Sequence, residues 1–98
     1  MRNRSQVFHL PLDGFYRRLA ASEIDRGYVY LSSHRNLPSM MDTKDFTVEL
    51  NGREFHNRKV NVSGRFSIHR EFLKPIGTSK LLHFKLASRT RLVIRTMA

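Results

Sequence analysis

Apolar residues recur along this chain mostly in short alternating runs, the period-two pattern of half-buried β-strands, and only two stretches have spacing that suits a helix. The first run, QVFHL at 6–10, is short and closed by Pro11. From Asp13 onward, GFYRRLAASEI sets Phe15, Leu19 and Ile24 at a spacing that shares one helical face, so one short helix or two helical turns are predicted, ended by Gly27. YVYL (28–31) then reads as a strand of β-branched and aromatic residues. SSHRNLPSMMDTKD follows as a connection, with Leu37, Met40 and Met41 tucking it onto the core.

The clearest local signal is FTVEL (46–50), Asn51-Gly52 and REFHNRKV (53–60), because Asn-Gly supplies both positive-φ positions of a type I′ turn. A two-residue loop pairs Leu50 with Arg53 and Val48 with Phe55. Phe46, Val48, Leu50 and Phe55 should therefore line one buried face, with Glu49 opposite Glu54 on the other. The far end, HNRKVNVSGR, reads as a basic turn rich in hydrogen-bonding side chains. RFSI (65–68) is a further strand, and HREFLKPIG a helical turn that packs Phe72 and Leu73 and is stopped by Pro75 and Gly77. LLHFKL (81–86) turns Leu82, Phe84 and Leu86 inward, RLVIR (91–95) keeps Leu92 and Ile94 together, and the two predict a second hairpin across Ala87 to Thr90.

Seven short strands left in an open sheet would expose long edges, so the expected fold is mainly β, a small closed pseudobarrel of about seven strands with two short helices. At 98 residues and 40% hydrophobic content the chain can build one modest core, hence a single domain over 1–98 with a mobile basic arm at 1–5. Cysteine is absent, which excludes disulfides and cysteine-bearing zinc sites. No apolar run approaches the roughly 18 residues of a spanning helix, and the N-terminal MRNRSQVFHLPLDG lacks a signal peptide's apolar stretch. An intracellular setting, cytoplasm and nucleoid or nucleus, with no membrane partner is expected.

Charge alters the picture more than composition does. The formal net charge is +10, and it is unevenly placed: residues 1–49 carry 7 basic and 6 acidic side chains, residues 50–98 carry 11 and 2. Arginine outnumbers lysine 13 to 5, and its planar fork suits phosphate or guanine edges where solubility would be served equally by lysine. A polyanionic partner follows. Within HNRKVNVSGR, Arg58, Lys59 and Arg65 can donate to guanine O6 and N7, Asn57 and Asn61 can pair with adenine N6 and N7, and Ser63 and His56 add further polar contacts.

Two resemblances sharpen this expectation. The segment VSGRFSIHREFLKPIGTSKLLHFKLASRTRLVIR resembles the half-barrel of AbrB-type transcription factors, with Gly64-Arg65, Ile68, Glu71, Leu73, Gly77 and Leu92-Val93-Ile94 in matching places. It departs from that pattern at His69, where the family has proline, and at Thr78, Ser79 and Lys80, where it has Gly-Asp. Over about nine-tenths of its length the chain resembles the DNA-binding pseudobarrel superfamily, on the strength of ASEIDRGYVYL, a loop ending in LPS, FTVELNGREF, a basic turn and the GRFSI to RLVIR module. That superfamily includes plant hormone-response DNA-binding domains and the DNA-recognition domains of EcoRII-type restriction endonucleases.

The resemblance implies sequence-specific binding of double-stranded DNA by two loop-bearing arms that grip the major groove. The first arm would draw on Arg4, Gln6, Arg26, His34 and Arg35, and the second on the connection from His56 to Arg65, hence His56, Asn57, Arg58, Lys59, Asn61, Ser63 and Arg65. Such a domain acts as a regulator or as the target-recognition module beside a separate or fused catalytic domain.

Catalytic chemistry finds little footing. His9, His34, His56, His69 and His83 never fall at helical metal-pair spacing, so no metal site, no cofactor and no small-molecule substrate are expected. No nucleophile elbow or Gly-rich phosphate loop occurs. The chain is therefore read as not being an enzyme. The competing readings are an RNA-binding small β-barrel, for which basic charge is equally apt, and a small metal-dependent nuclease built on Glu49 and Glu54 with Asp45 and Lys59.

Overall fold

The computed structural model describes residues 14–31, 46–60 and 64–97. Among these residues the fold is mainly β, with seven strands in two sheets and two short helices. In chain order they are β1 (Phe15–Arg17), α1 (Ala21–Arg26), β2 (Tyr28–Tyr30), β3 (Phe46–Leu50), β4 (Arg53–Arg58), β5 (Arg65–Ser67), α2 (Arg70–Leu73), β6 (Leu82–Ser88) and β7 (Arg91–Thr96). The strand expected over 6–10, the arm over 1–5 and the connection with Leu37, Met40 and Met41 lie outside the described residues. No helix among the described residues is long and apolar enough to cross a membrane.

β3 and β4 form the hairpin that Asn51-Gly52 dictates, with φ of 49° and 89° at the two turn residues. The register is Leu50 with Arg53, Glu49 with Glu54 and Val48 with Phe55. Phe46, Val48 and Leu50 are buried, and half-buried Phe55 packs against the same core. β6 and β7 form the second hairpin, with Phe84 opposite Ile94 and Leu86 opposite Leu92, all four buried. The hairpins meet through a parallel pair, β3 beside β7, which gives a five-stranded sheet in the order β1-β6-β7-β3-β4. Parallel neighbours have no shared turn to announce them, so nothing local in the chain foretells this junction.

The helix expected from the spacing of Phe15, Leu19 and Ile24 begins only at Ala21; Phe15–Arg17 is instead a strand antiparallel to β6. Phe15 lies opposite Phe84, and the two rings stack with centroids 4.8 Å apart. Gly14 makes this approach possible: its φ is +67°, and a Cβ there would sit 1.9 Å from the Phe84 carbonyl oxygen. Tertiary pairing outweighs the local helical spacing. Leu19 is nonetheless buried, on the way into α1.

The second sheet is a two-stranded ribbon in which Tyr28 faces Ser67, Val29 faces Phe66 and Tyr30 faces Arg65. Val29 and Phe66 point into the core. Phe66 meets Phe46 edge-on at 5.8 Å, so ribbon and large sheet share one hydrophobic interior. Each fully buried apolar side chain there contributes on the order of 1.5–3 kcal/mol. The ribbon is prolonged by Ile68 N–H to Gly27 O at 2.9 Å and Leu31 N–H to Gly64 O at 2.6 Å. α2 seats Leu73 in the core, and Phe72 meets Phe55 edge-on at 5.1 Å.

α1 is anchored by a buried charge. Ala20, at its N-cap, has no side-chain acceptor, so Glu23 supplies the capping contact by accepting from the Ala20 N–H at 2.8 Å. The same carboxylate accepts from the Tyr30 N–H at 2.8 Å and from both terminal nitrogens of Arg17 at 2.7 and 2.6 Å. Arg17 also donates to the Tyr30 carbonyl at 2.6 Å and lies over the Phe84 ring. Glu23 is only 2% exposed, yet every lone-pair direction is used, the condition under which a buried ion pair is tolerated. Burial pushes the Glu23 carboxyl up, but Arg17 and the two backbone N–H groups outweigh it, and the net direction is down.

Candidate nucleic-acid interface

The last turn of α1 fixes one side of the candidate site. Gly27, at φ +72°, caps the helix through its N–H to Glu23 O at 2.9 Å. A Cβ at Gly27 would come within 3.0 Å of the Ile68 carbonyl oxygen, so the end of α1 lies directly on the junction of β5 and α2. This contact brings Asp25, Arg26 and Tyr28 beside Ser67, His69 and Arg70.

A backbone irregularity brings in the remaining cation. Phe46 pairs with Arg58 and Val48 with Phe55, so two residues of β4, His56 and Asn57, stand against Thr47 alone. This is a β-bulge, with Asn57 in the left-handed region at φ 56°. Without the extra residue, alternation from inward-facing Phe55 would send Arg58 to the outer face of the sheet. With it, Arg58 turns to the ribbon side, where its Nη1 lies 3.5 Å from the Ser67 carbonyl and its Nε donates to His56 O at 3.1 Å. Arg26, Arg58, Arg70 and His69 thus line one open depression of about 410 Å³, together with Asp25, Tyr28 and Ser67.

The neighbouring outer face of the ribbon carries Tyr28, Tyr30, Arg65 and Ser67. The Arg65 guanidinium lies 4.5 Å from the Tyr28 ring centroid and 6.0 Å from that of Tyr30, a stacked arrangement that limits its motion. Tyr28 belongs to both surfaces, so the stacked arginine and the depression are continuous.

The expected site residues therefore separate. Arg26 and Arg58, from the two expected arms, meet in the depression, and Arg65 adjoins it. Exposed Lys59 follows β4 directly, and exposed Asn57 forms the bulge. His56 points the other way, to the outer face of the large sheet, with Nδ1 3.1 Å from Thr47 Oγ1 and Nε2 3.3 Å from Glu54. Arg4, Gln6, His34, Arg35, Asn61 and Ser63 lie outside the described residues. His69 and Arg70 were not singled out by sequence reasoning as contacts. The signal for them was indirect: they follow a strand whose partner, β2, leaves the end of α1.

Of the carboxylates considered for metal chemistry, Asp45 lies outside the described residues and the other two are engaged otherwise. Glu49 and Glu54 face each other across β3 and β4, and Arg91 lies on both, 2.8 Å from Glu49 Oε1 and in direct contact with Glu54 Oε2. Arg91 holds the Glu54 carboxyl below its ordinary range, and its own guanidinium is raised by Glu54 and then Glu49. A guanidinium thus occupies the place a bridging cation would take between these acids. Comparison with protein-family models, curated proteins and solved structures gives no significant match.

Proposed function

We propose that the chain is a duplex DNA-binding domain that grips the groove through the end of α1 and the end of β4, as a regulator or as the recognition module beside a catalytic domain. In this reading the ribbon β2–β5 and the five-stranded sheet are two parts of one pseudobarrel, closed around the shared core. The observation that carries it is the convergence of Arg26 and Arg58, from distant parts of the chain, on one open depression with Arg70 and His69. Guanidiniums held by backbone geometry at a surface that is open among the described residues suit phosphate contacts, and Arg65 adds a further cation beside them.

The experiment is a titration of the protein with random duplex DNA, single-stranded DNA and structured RNA at several salt concentrations. A duplex reader binds B-form DNA in preference and loses affinity steeply with salt. Preference for structured RNA would replace this reading with the RNA-binding one. Within the duplex reading, Arg58→Ala and Arg65→Ala should weaken binding more than Arg18→Ala; equal losses would sink the assignment.

A further inference from the structure

The depression holds more than positive charge. At about 410 Å³ it falls in the range of sites that take a whole small molecule, far more room than one phosphate requires. Its lining combines three guanidiniums, an aromatic ring and one carboxylate, Asp25. Among the described residues Asp25 makes no hydrogen bond or ion pair, although Arg26, Arg58 and Arg70 line the same space. A carboxylate repels phosphate, so it adds nothing to a pure backbone contact. Left unpaired it is an acceptor of N–H donors.

One nucleobase edge matches it. The Watson–Crick edge of guanine presents two adjacent N–H donors that a carboxylate can accept side by side, and in a duplex that edge is occupied by cytosine. Only an unpaired guanine can offer it, and unpaired bases are the ones that proteins read on this edge while stacking them on aromatic rings or guanidinium planes.

We propose that the depression seats one unpaired guanine nucleotide, with Asp25 on its Watson–Crick edge, Tyr28 against the base and Arg26, Arg58 and Arg70 around the phosphates. This rests on the nucleic-acid reading above and deepens it. The nucleotide comes either from a bulge or extruded position within a duplex, or from a single strand.

The test compares four ligands on the intact chain: a paired duplex, the same duplex with a one-guanine bulge, the same with an abasic bulge, and the guanine-containing single strand. The guanine bulge should bind about tenfold more tightly than the abasic bulge, the return on one bidentate pair. Asp25→Ala, at an exposed helical position, should abolish that ratio by bringing the guanine bulge down to the affinity of the abasic bulge. The paired duplex and the abasic bulge, which make no contact with the carboxylate, should bind no more weakly than to the parent. Its thermal midpoint serves as the folding control. The single strand binding as well as the bulge identifies a strand end or loop as the source, and weaker binding identifies the extruded duplex nucleotide. Equal affinity for guanine and abasic bulges overturns the seat and leaves the duplex reading standing. Failure to bind any of the four overturns both.

Discussion

Arg17 and Arg91 on one side, Arg26 and Arg70 on the other, contribute equally to net charge and differ in almost everything else. Arg17 lies bidentate on buried Glu23, and Arg91 lies on Glu49 and Glu54 across the outer face of the large sheet. Arg26 and Arg70 are exposed, make no ion pair among the described residues and share an open depression. A positive field at the surface belongs to the second kind. In the first kind, charge is neutralised within hydrogen-bond distance and acts on the fold.

The comparison breaks most visibly at Glu23. Glu23→Gln leaves the part-buried Arg17 guanidinium without its counter-charge and should cost about 3 kcal/mol or more in denaturant unfolding, with α1 loosened at its first turn. The same carboxylate governs the acid limb. Because its folded pKa is lowered, the stability it contributes is complete above the ordinary glutamate value of 4.5 and is lost as pH falls through the lowered folded value. Unfolding midpoints recorded from neutral pH downward should show this loss in the native chain and a shallower fall in Glu23→Gln.

The exposed pair should behave in the opposite sense. Arg26→Ala with Arg70→Ala should reduce duplex affinity about tenfold or more at low salt and shrink the salt slope by about two. Stability should stay within about 0.5 kcal/mol of the parent, as for surface changes generally. The smallest effect is expected at Arg91→Ala: a change in stability well below that of Glu23→Gln, because this pair is screened by solvent, and duplex affinity within about twofold. A binding loss there as large as at Arg26 and Arg70 would show that pairing does not decide which arginines meet the ligand.

Legibility in the sequence followed the range of the interaction. Asn51-Gly52 fixed a turn, the turn fixed a register, and Glu49 opposite Glu54 followed correctly. The alternation of Leu82, Phe84 and Leu86 likewise placed the second hairpin. Phe15 misled because its spacing to Leu19 is helical, whereas its partner, Phe84, lies far along the chain. Arg26 and Arg58 were anticipated as contacts, yet their meeting depends on two features without a periodic signature: the bulge at Asn57 and the close approach of Gly27 to Ile68. The Arg17 and Glu23 clasp escaped for the same reason, since six residues of separation fit neither a strand ladder nor a helical turn.

The parallel seam between β3 and β7 carries a consequence for how the chain reaches this fold. Each hairpin closes a short loop and can form within microseconds, but Thr47 meets Arg91 only after the long intervening chain has been gathered in. Assembly should therefore be hierarchical, with two fast local units waiting on one slow docking event. Substitutions at Val48 or Leu92, which touch across the seam, should slow folding, while weakening the Asn51-Gly52 turn should act earlier, on the unit rather than on its docking.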